Sequence, residues 1–152
     1  MSRDTRIAAL CLAAVALIPL VASVSATFAI AHGASPMLRL PFKLMCHGIP
    51  HRCLTIFGTS MPICARCVGI YAGLLAGVMA FPMMRRASER VMRILLAIAA
   101  TPILIDGVTQ AIGLRESTNP LRLATGLAVG AAFGLWMLVA IETRARQRFA
   151  ES

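Results

Sequence analysis

Charge is scarce in this chain, and acid is scarcest. Only 14% of the 152 residues are charged, with six Asp and Glu against fifteen Lys and Arg. A soluble domain carries about 25% charge and about 45–50% apolar residues. Here 59% are apolar, more than one soluble core of this size can hide. The composition therefore excludes a disordered chain, a disulfide-knotted miniprotein and an ordinary soluble enzyme. Aromatic residues are also few, at 5% with one Trp and one Tyr. They offer little on which bases could stack, so the basic excess does not point to nucleic acid. No nucleotide-binding loop, hydrolase nucleophile turn or metalloprotease helix occurs in the sequence.

What the chain has instead is four apolar runs, Ile7–Ala31, Val68–Met84, Val91–Gly113 and Leu121–Ile141. About 20 apolar residues in a helix cross the hydrocarbon of a bilayer, and lipid satisfies no open backbone, so spans of this kind are helical. The expected fold is all-α: a polytopic membrane protein with a four-transmembrane-helix bundle and an outer loop carrying Cys and His. Its divisions are an N-terminal transmembrane helix at 1–31, the Cys/His loop at 32–67, a three-helix transmembrane core at 68–141 and a basic tail at 142–152. Pro62–Cys67 is expected to add the first turn of the second span, and Pro19 to kink the first. Val24-Ser25-Ala26 resembles a signal-peptide cleavage site, but the apolar run continues to Ala31, which suits a retained anchor better.

Basic residues set the orientation. One set of loops holds nine of them: Arg3, Arg6, Arg85, Arg86, Arg90, Arg93, Arg144, Arg146 and Arg148. The opposite set holds the remaining six: Arg39, Lys43, Arg52, Arg66, Arg115 and Arg122. The bias predicts an inner (plasma) membrane protein with cytoplasmic termini and the Cys/His loop outside. Gly69, Gly73 and Gly77, and again Gly126, Gly130 and Gly134, recur every fourth residue. Small residues at that spacing let helices approach closely. Spans two and four are expected to touch there, with a homo-oligomer face as the alternative use. Besides the lipid bilayer, the partner is either another protein or a second copy of the chain.

The outer loop reads Cys46-His47-Gly48-Ile49-Pro50-His51-Arg52-Cys53, followed by Cys64-Ala65-Arg66-Cys67. Cys64 and Cys67 lie one helical turn apart near a helix amino end, where the dipole and Arg66 favour thiolate. Thiolates serve two chemistries. In one, Cys46, Cys64 and Cys67 with His47 or Cys53 form a tetrahedral site for zinc, or for copper or iron. In the other, Cys64 and Cys67 are a redox pair, as Cys46 and Cys53 could be, exchanging electrons with a membrane carrier such as quinone. A structural disulfide is the plainest use. Cys11, alone in the first span, reads as a small apolar residue. His51 reads as a solvated loop residue and His32 as interfacial, while Met37–Met45 suits the bilayer surface with Arg39 and Lys43 near head groups.

Asp106, Thr109, Gln110 and Gly113 share one face of the third span. A carboxylate in an apolar span is costly unless paired, so Asp106 should face the bundle and meet Arg66, Arg115 or Arg122. Asn119-Pro120 reads as a helix start, cap then first turn. Together Arg66, Asp106, Gln110, Arg115, Asn119 and Arg122 are expected to form a polar pocket beside the cysteines.

These motifs in order, Cys46-His47-Gly48-Ile49-Pro50-His51-Arg52, Pro62-Ile63-Cys64-Ala65-Arg66-Cys67-Val68-Gly69-Ile70-Tyr71, Asp106-Gly107-x-x-Gln110 and Arg115-x-x-x-Asn119-x-x-Arg122-x-x-Thr125-Gly126, resemble the prokaryotic membrane family DUF2085 over roughly residues 45–130. The resemblance implies an integral membrane protein and no particular reaction. Its pattern usually has serine at Cys53 and often glutamate at His51, which implies Cys46, His47, Cys64 and Cys67 as the core constellation. The four spans and outer Cys-x-x-Cys are also similar in arrangement to quinone-coupled membrane oxidoreductases that generate disulfides. That likeness is one of architecture alone.

Overall fold

The computed structural model describes residues 1–114 and 116–151, without the side chains of Phe149 and Glu151. Arg115, expected in the polar pocket, lies outside the described residues. The element order is α1 (Arg3–Ala31), 3-10 segments at Pro36–Leu44 and Pro50–Arg52, β1 (Cys53–Ile56), β2 (Thr59–Cys64), α2 (Ala65–Met84), α3 (Glu89–Ala111) and α4 (Asn119–Glu151). All four α-helices are long and apolar enough to cross a membrane. The architecture is the expected all-α polytopic bundle, with one small hairpin added.

Helix α1 opens on Ser2, whose hydroxyl accepts the Thr5 amide at 3.2 Å, a side-chain cap with Asp4 in the first turn. Its buried residues Ala16, Pro19, Ser23 and Thr27 fall at steps of three and four, a stripe that faces α2, β2 and α4. Burying hydroxyls in that stripe is inexpensive because Ser23 donates to the Leu20 carbonyl at 2.8 Å and Thr27 to the Ser23 carbonyl at 2.7 Å.

The closest packing joins α2 and α4, backbone against backbone. A Cβ added at Gly69 or Gly73 would stand 2.3 Å from the Leu123 or Leu127 carbonyl oxygen, and one at Gly130 would stand 2.2 Å from that of Ile70. Only hydrogen fits at these positions, so the two helices approach to a distance that any side chain forbids. Helix α3 packs on α4 more loosely and leaves an apolar groove of about 570 Å³ between Met92–Pro102 and Ala124–Leu135.

Two local readings change. Pro62 does not begin a helix; it lies within β2, and α2 starts at Ala65. A two-stranded hairpin has free edges, and an edge position tolerates a residue without an N–H. The hairpin closes through Phe57-Gly58, with φ of 53° and 70° between the paired Ile56 and Thr59, the left-handed geometry that matches strand twist. The basic tail is also not separate, since α4 runs on to Glu151. Glu142, 4% exposed, accepts the Thr5 hydroxyl at 2.8 Å and the Ser2 amide at 2.9 Å, which ties the extension to α1.

Candidate metal and anion site

The site begins with a tight knuckle. Phe42 is buried beneath the first 3-10 segment, and its carbonyl accepts the Cys46 amide at 2.8 Å. The chain then turns at Gly48 with φ of 56°, where an added Cβ would sit 2.8 Å from the Pro62 carbonyl oxygen. Glycine thus serves twice here: it adopts the left-handed conformation and lets the knuckle close on β2.

That closure places Cys46 beside the start of α2. The Cys64 amide donates to Cys46 Sγ at 3.2 Å, and the Cys64 thiol donates to Cys67 Sγ at 3.5 Å. All three Sγ atoms lie within 4.8 Å of one another. Hydrogen bonds from the Cys64 and Cys67 thiols, helped by the Cys64 and Gly48 amides, hold the Cys46 thiol well below its ordinary pKa despite burial.

The other cysteines and the histidines lie outside this close group. Cys53, 3% exposed, pairs across the hairpin with Cys64, but its thiol donates to the Ile49 carbonyl at 3.2 Å. Burial, with Cys46 and Cys64 nearby, pushes it up to about 11. Cys11 is exposed on α1. His47 is exposed, and among the described residues the close group holds cysteines alone. His51 is exposed beside Arg52, and the His32 ring bonds the Phe28 carbonyl oxygen at 2.8 Å.

Beside the sulfurs opens a cavity of about 390 Å³, walled by Cys46, Cys64, Cys67, Arg66, Gln110 and Arg122, with His47 and Arg52 also lining it. The polar face of α3 arrives as its spacing requires. Asp106, 2% exposed, forms an ion pair with Arg66. Substituting Asp106→Asn should cost about 3 kcal/mol. That is the low end for breaking a buried pair, because the Arg66 side chain keeps 25% of its surface exposed. Thermal unfolding in detergent would register the loss, and a double variant that also carries Arg66→Gln should recover part of it.

Gln110, with its amide oxygen turned toward the donors, accepts the Ser117 amide and Arg122 Nη2, both at 2.8 Å. Arg122 Nη1 donates to Asn119 Oδ1 at 3.0 Å. Asn119 Nδ2 in turn donates to the Cys53 carbonyl at 3.1 Å and the His51 carbonyl at 3.3 Å. Asn119 is thus more than a helix-start residue: it clamps α4 to the cysteine loop. Losing both bonds in Asn119→Ala should lower stability by about 1–2 kcal/mol and speed limited proteolysis between residues 46 and 60. Wild-type cleavage rates there would contradict the clamp. Gly48 and Arg52 are the residues whose place at the site the sequence reading missed. A glycine between two ligand-type residues was the available signal for the first.

Comparison with known proteins places the same segment in one family. A family model described as "Predicted membrane protein (DUF2085)" matches residues 46–136, which starts at Cys46 and takes in every residue of the cavity wall except Met45. A Methanocaldococcus jannaschii protein is 44% identical over 91 residues, 59% of this chain and 58% of that protein. A Methanothermobacter thermautotrophicus protein is 40% identical over 97 residues, 62% of this chain and 85% of that one. The chain thus covers less than two thirds of the first relative's length; both relatives are described as uncharacterized proteins. No solved structure matches.

Proposed function

The chain belongs to the DUF2085 family of predicted membrane proteins, and on that premise we propose that Cys46, Cys64 and Cys67 bind one transition-metal ion at the outer end of the helix bundle. The observation that carries this reading is the approach of three Sγ atoms to within 4.8 Å of one another. Zinc–thiolate bonds of about 2.3 Å in tetrahedral array set the sulfurs about 3.8 Å apart, so the trio needs little adjustment to hold an ion. Soft sulfur suits zinc most simply, and copper or iron also. Three protein ligands leave one position facing the cavity, the arrangement of a site that does chemistry rather than one that only braces the fold. Asp106 and Gln110 hold Arg66 and Arg122, which line the same cavity as the three sulfurs. The nine-to-six division of basic residues supports an outward-facing site with both termini in the cytoplasm.

A second reading rests on the 3.5 Å separation of Cys64 and Cys67 sulfurs. The two thiols would close to a disulfide and pass two electrons and two protons to a quinone, giving the quinol. One measurement separates the readings. The full chain is purified in detergent without reductant, its metal is quantified, and its alkylatable thiols are counted by intact mass. About one metal per chain is expected. No metal, with two thiols reversibly oxidised, would overturn the metal reading in favour of exchange. Four permanently oxidised cysteines would instead make the protein a non-catalytic assembly subunit braced by disulfides.

A further inference from the structure

We infer that the cavity beside the cysteines is an oxyanion-binding site, built to seat a phosphate or carboxylate group against Arg52, Arg66 and Arg122. The inference names a ligand class for the site proposed above and relies on the metal reading for the anion's access to the ion's open position and for part of the charge sum.

Charge is the first ground. Three guanidinium side chains line the cavity, and among the described residues no carboxylate does. Arg122 is 4% exposed, and its guanidinium donates to the amide oxygens of Asn119 and Gln110. Neutral acceptors satisfy geometry but leave the charge in place. Asp106 acts electrostatically on Arg122 while paired with Arg66, one carboxylate for two guanidiniums, and a guanidinium fork is the preferred partner of phosphate and carboxylate. Arg66 is the second ground. One terminal nitrogen pairs with Asp106, yet its buried Nε has no partner among the described residues.

The sum of charges points the same way. Three arginines and Asp106 give +2, and three thiolates around a divalent ion subtract one more, leaving +1. A single monoanion neutralises the pocket. Glu116 faces Arg52 and Arg122 from an adjoining cavity of about 250 Å³, but it is exposed and water screens it. The main cavity, at about 390 Å³, is of small-ligand size. Free oxyanion and anionic lipid headgroup share this chemistry.

The test uses the full chain in detergent. Inorganic phosphate is titrated at constant ionic strength against chloride, with metal bound and after chelation, while the thermal midpoint is followed. Phosphate is expected to raise the midpoint where chloride does not, and Arg52→Gln to weaken its apparent affinity about tenfold. Arg52 is chosen because it is half-buried and, unlike Arg122, does not tie elements together. If free phosphate has no effect, nanodiscs of phosphatidylglycerol and of phosphatidylcholine form the second arm. Stabilisation by the anionic lipid alone, lost in Arg52→Gln, assigns the site to a headgroup. Equal effects of phosphate and chloride, an unchanged Arg52→Gln affinity, or no response to phosphate or anionic lipid would overturn the inference. Cys64→Ser separates it from the metal reading: that variant should lose metal and still respond to phosphate.

Discussion

Gly130→Ala is expected to be the most damaging single-methyl change in the protein. The new Cβ would stand 2.2 Å from the Ile70 carbonyl oxygen and 3.0 Å from the Leu74 amide nitrogen. Both are backbone atoms, so no rotamer change relieves the clash and the helices must part. Overpacking usually costs about 1–3 kcal/mol; a clash with fixed backbone should reach at least the top of that range. Gly73→Ala should behave alike, with its Cβ 2.3 Å from the Leu127 oxygen. Gly107 is the control, because nothing lies within 4 Å of its added Cβ. Alanine there should be neutral or gain up to about 1 kcal/mol from helix propensity. Thermal unfolding in detergent, followed by the fluorescence of the single Trp136, reads all three. Equal midpoints for Gly130→Ala and Gly107→Ala would refute the packing account.

The second large effect concerns metal. Cys46→Ser, Cys64→Ser and Cys67→Ser should each reduce bound metal from about one per chain to near zero. Loss of a supporting outer-shell partner alone weakens metal sites 10–100-fold, so loss of a ligand should exceed about 100-fold. Cys53→Ser should keep its metal, since a hydroxyl can still donate to the Ile49 carbonyl that accepts the Cys53 thiol at 3.2 Å. Cys11→Ser and His47→Ala should keep theirs as well. Metal content after gel filtration settles the pattern. Loss in Cys53→Ser or His47→Ala, with retention in Cys46→Ser, would redraw the ligand set.

Much of the architecture was legible because the dominant force leaves a long, redundant trace. Four apolar runs signal four spans whichever residues make them up, and a carboxylate at Asp106 inside one of them demands a partner. Arg66 was one of three candidates, and only the fold selects it. Short-range readings failed where one residue type serves two structures. Pro62 suits a helix start as well as a strand edge, and Asn119 suits a cap as well as a bridge to a distant carbonyl. The extension of α4 past Ile141 was hidden because its anchor, Glu142, finds its donors more than 130 residues away, at Ser2 and Thr5. His47 follows Cys46 in sequence, but adjacency does not fix direction: the turn at Gly48 buries the sulfur and leaves the imidazole exposed.

The glycine contacts between α2 and α4 also have a mechanical side. Helices in backbone contact along their length have almost no freedom to slide, because any displacement drives carbonyl oxygens into Cα atoms. Cys67 and Arg66 on one helix, with Cys64 at its N-cap, and Arg122 on the other are therefore mounted on a single stiff frame. Asp106 and Gln110 ride on α3, whose seam with α4 contains an apolar groove in place of interlocked backbone. The pocket thus has one unyielding wall and one compliant wall. Whatever enters it meets fixed spacing on the sulfur side and looser packing on the other.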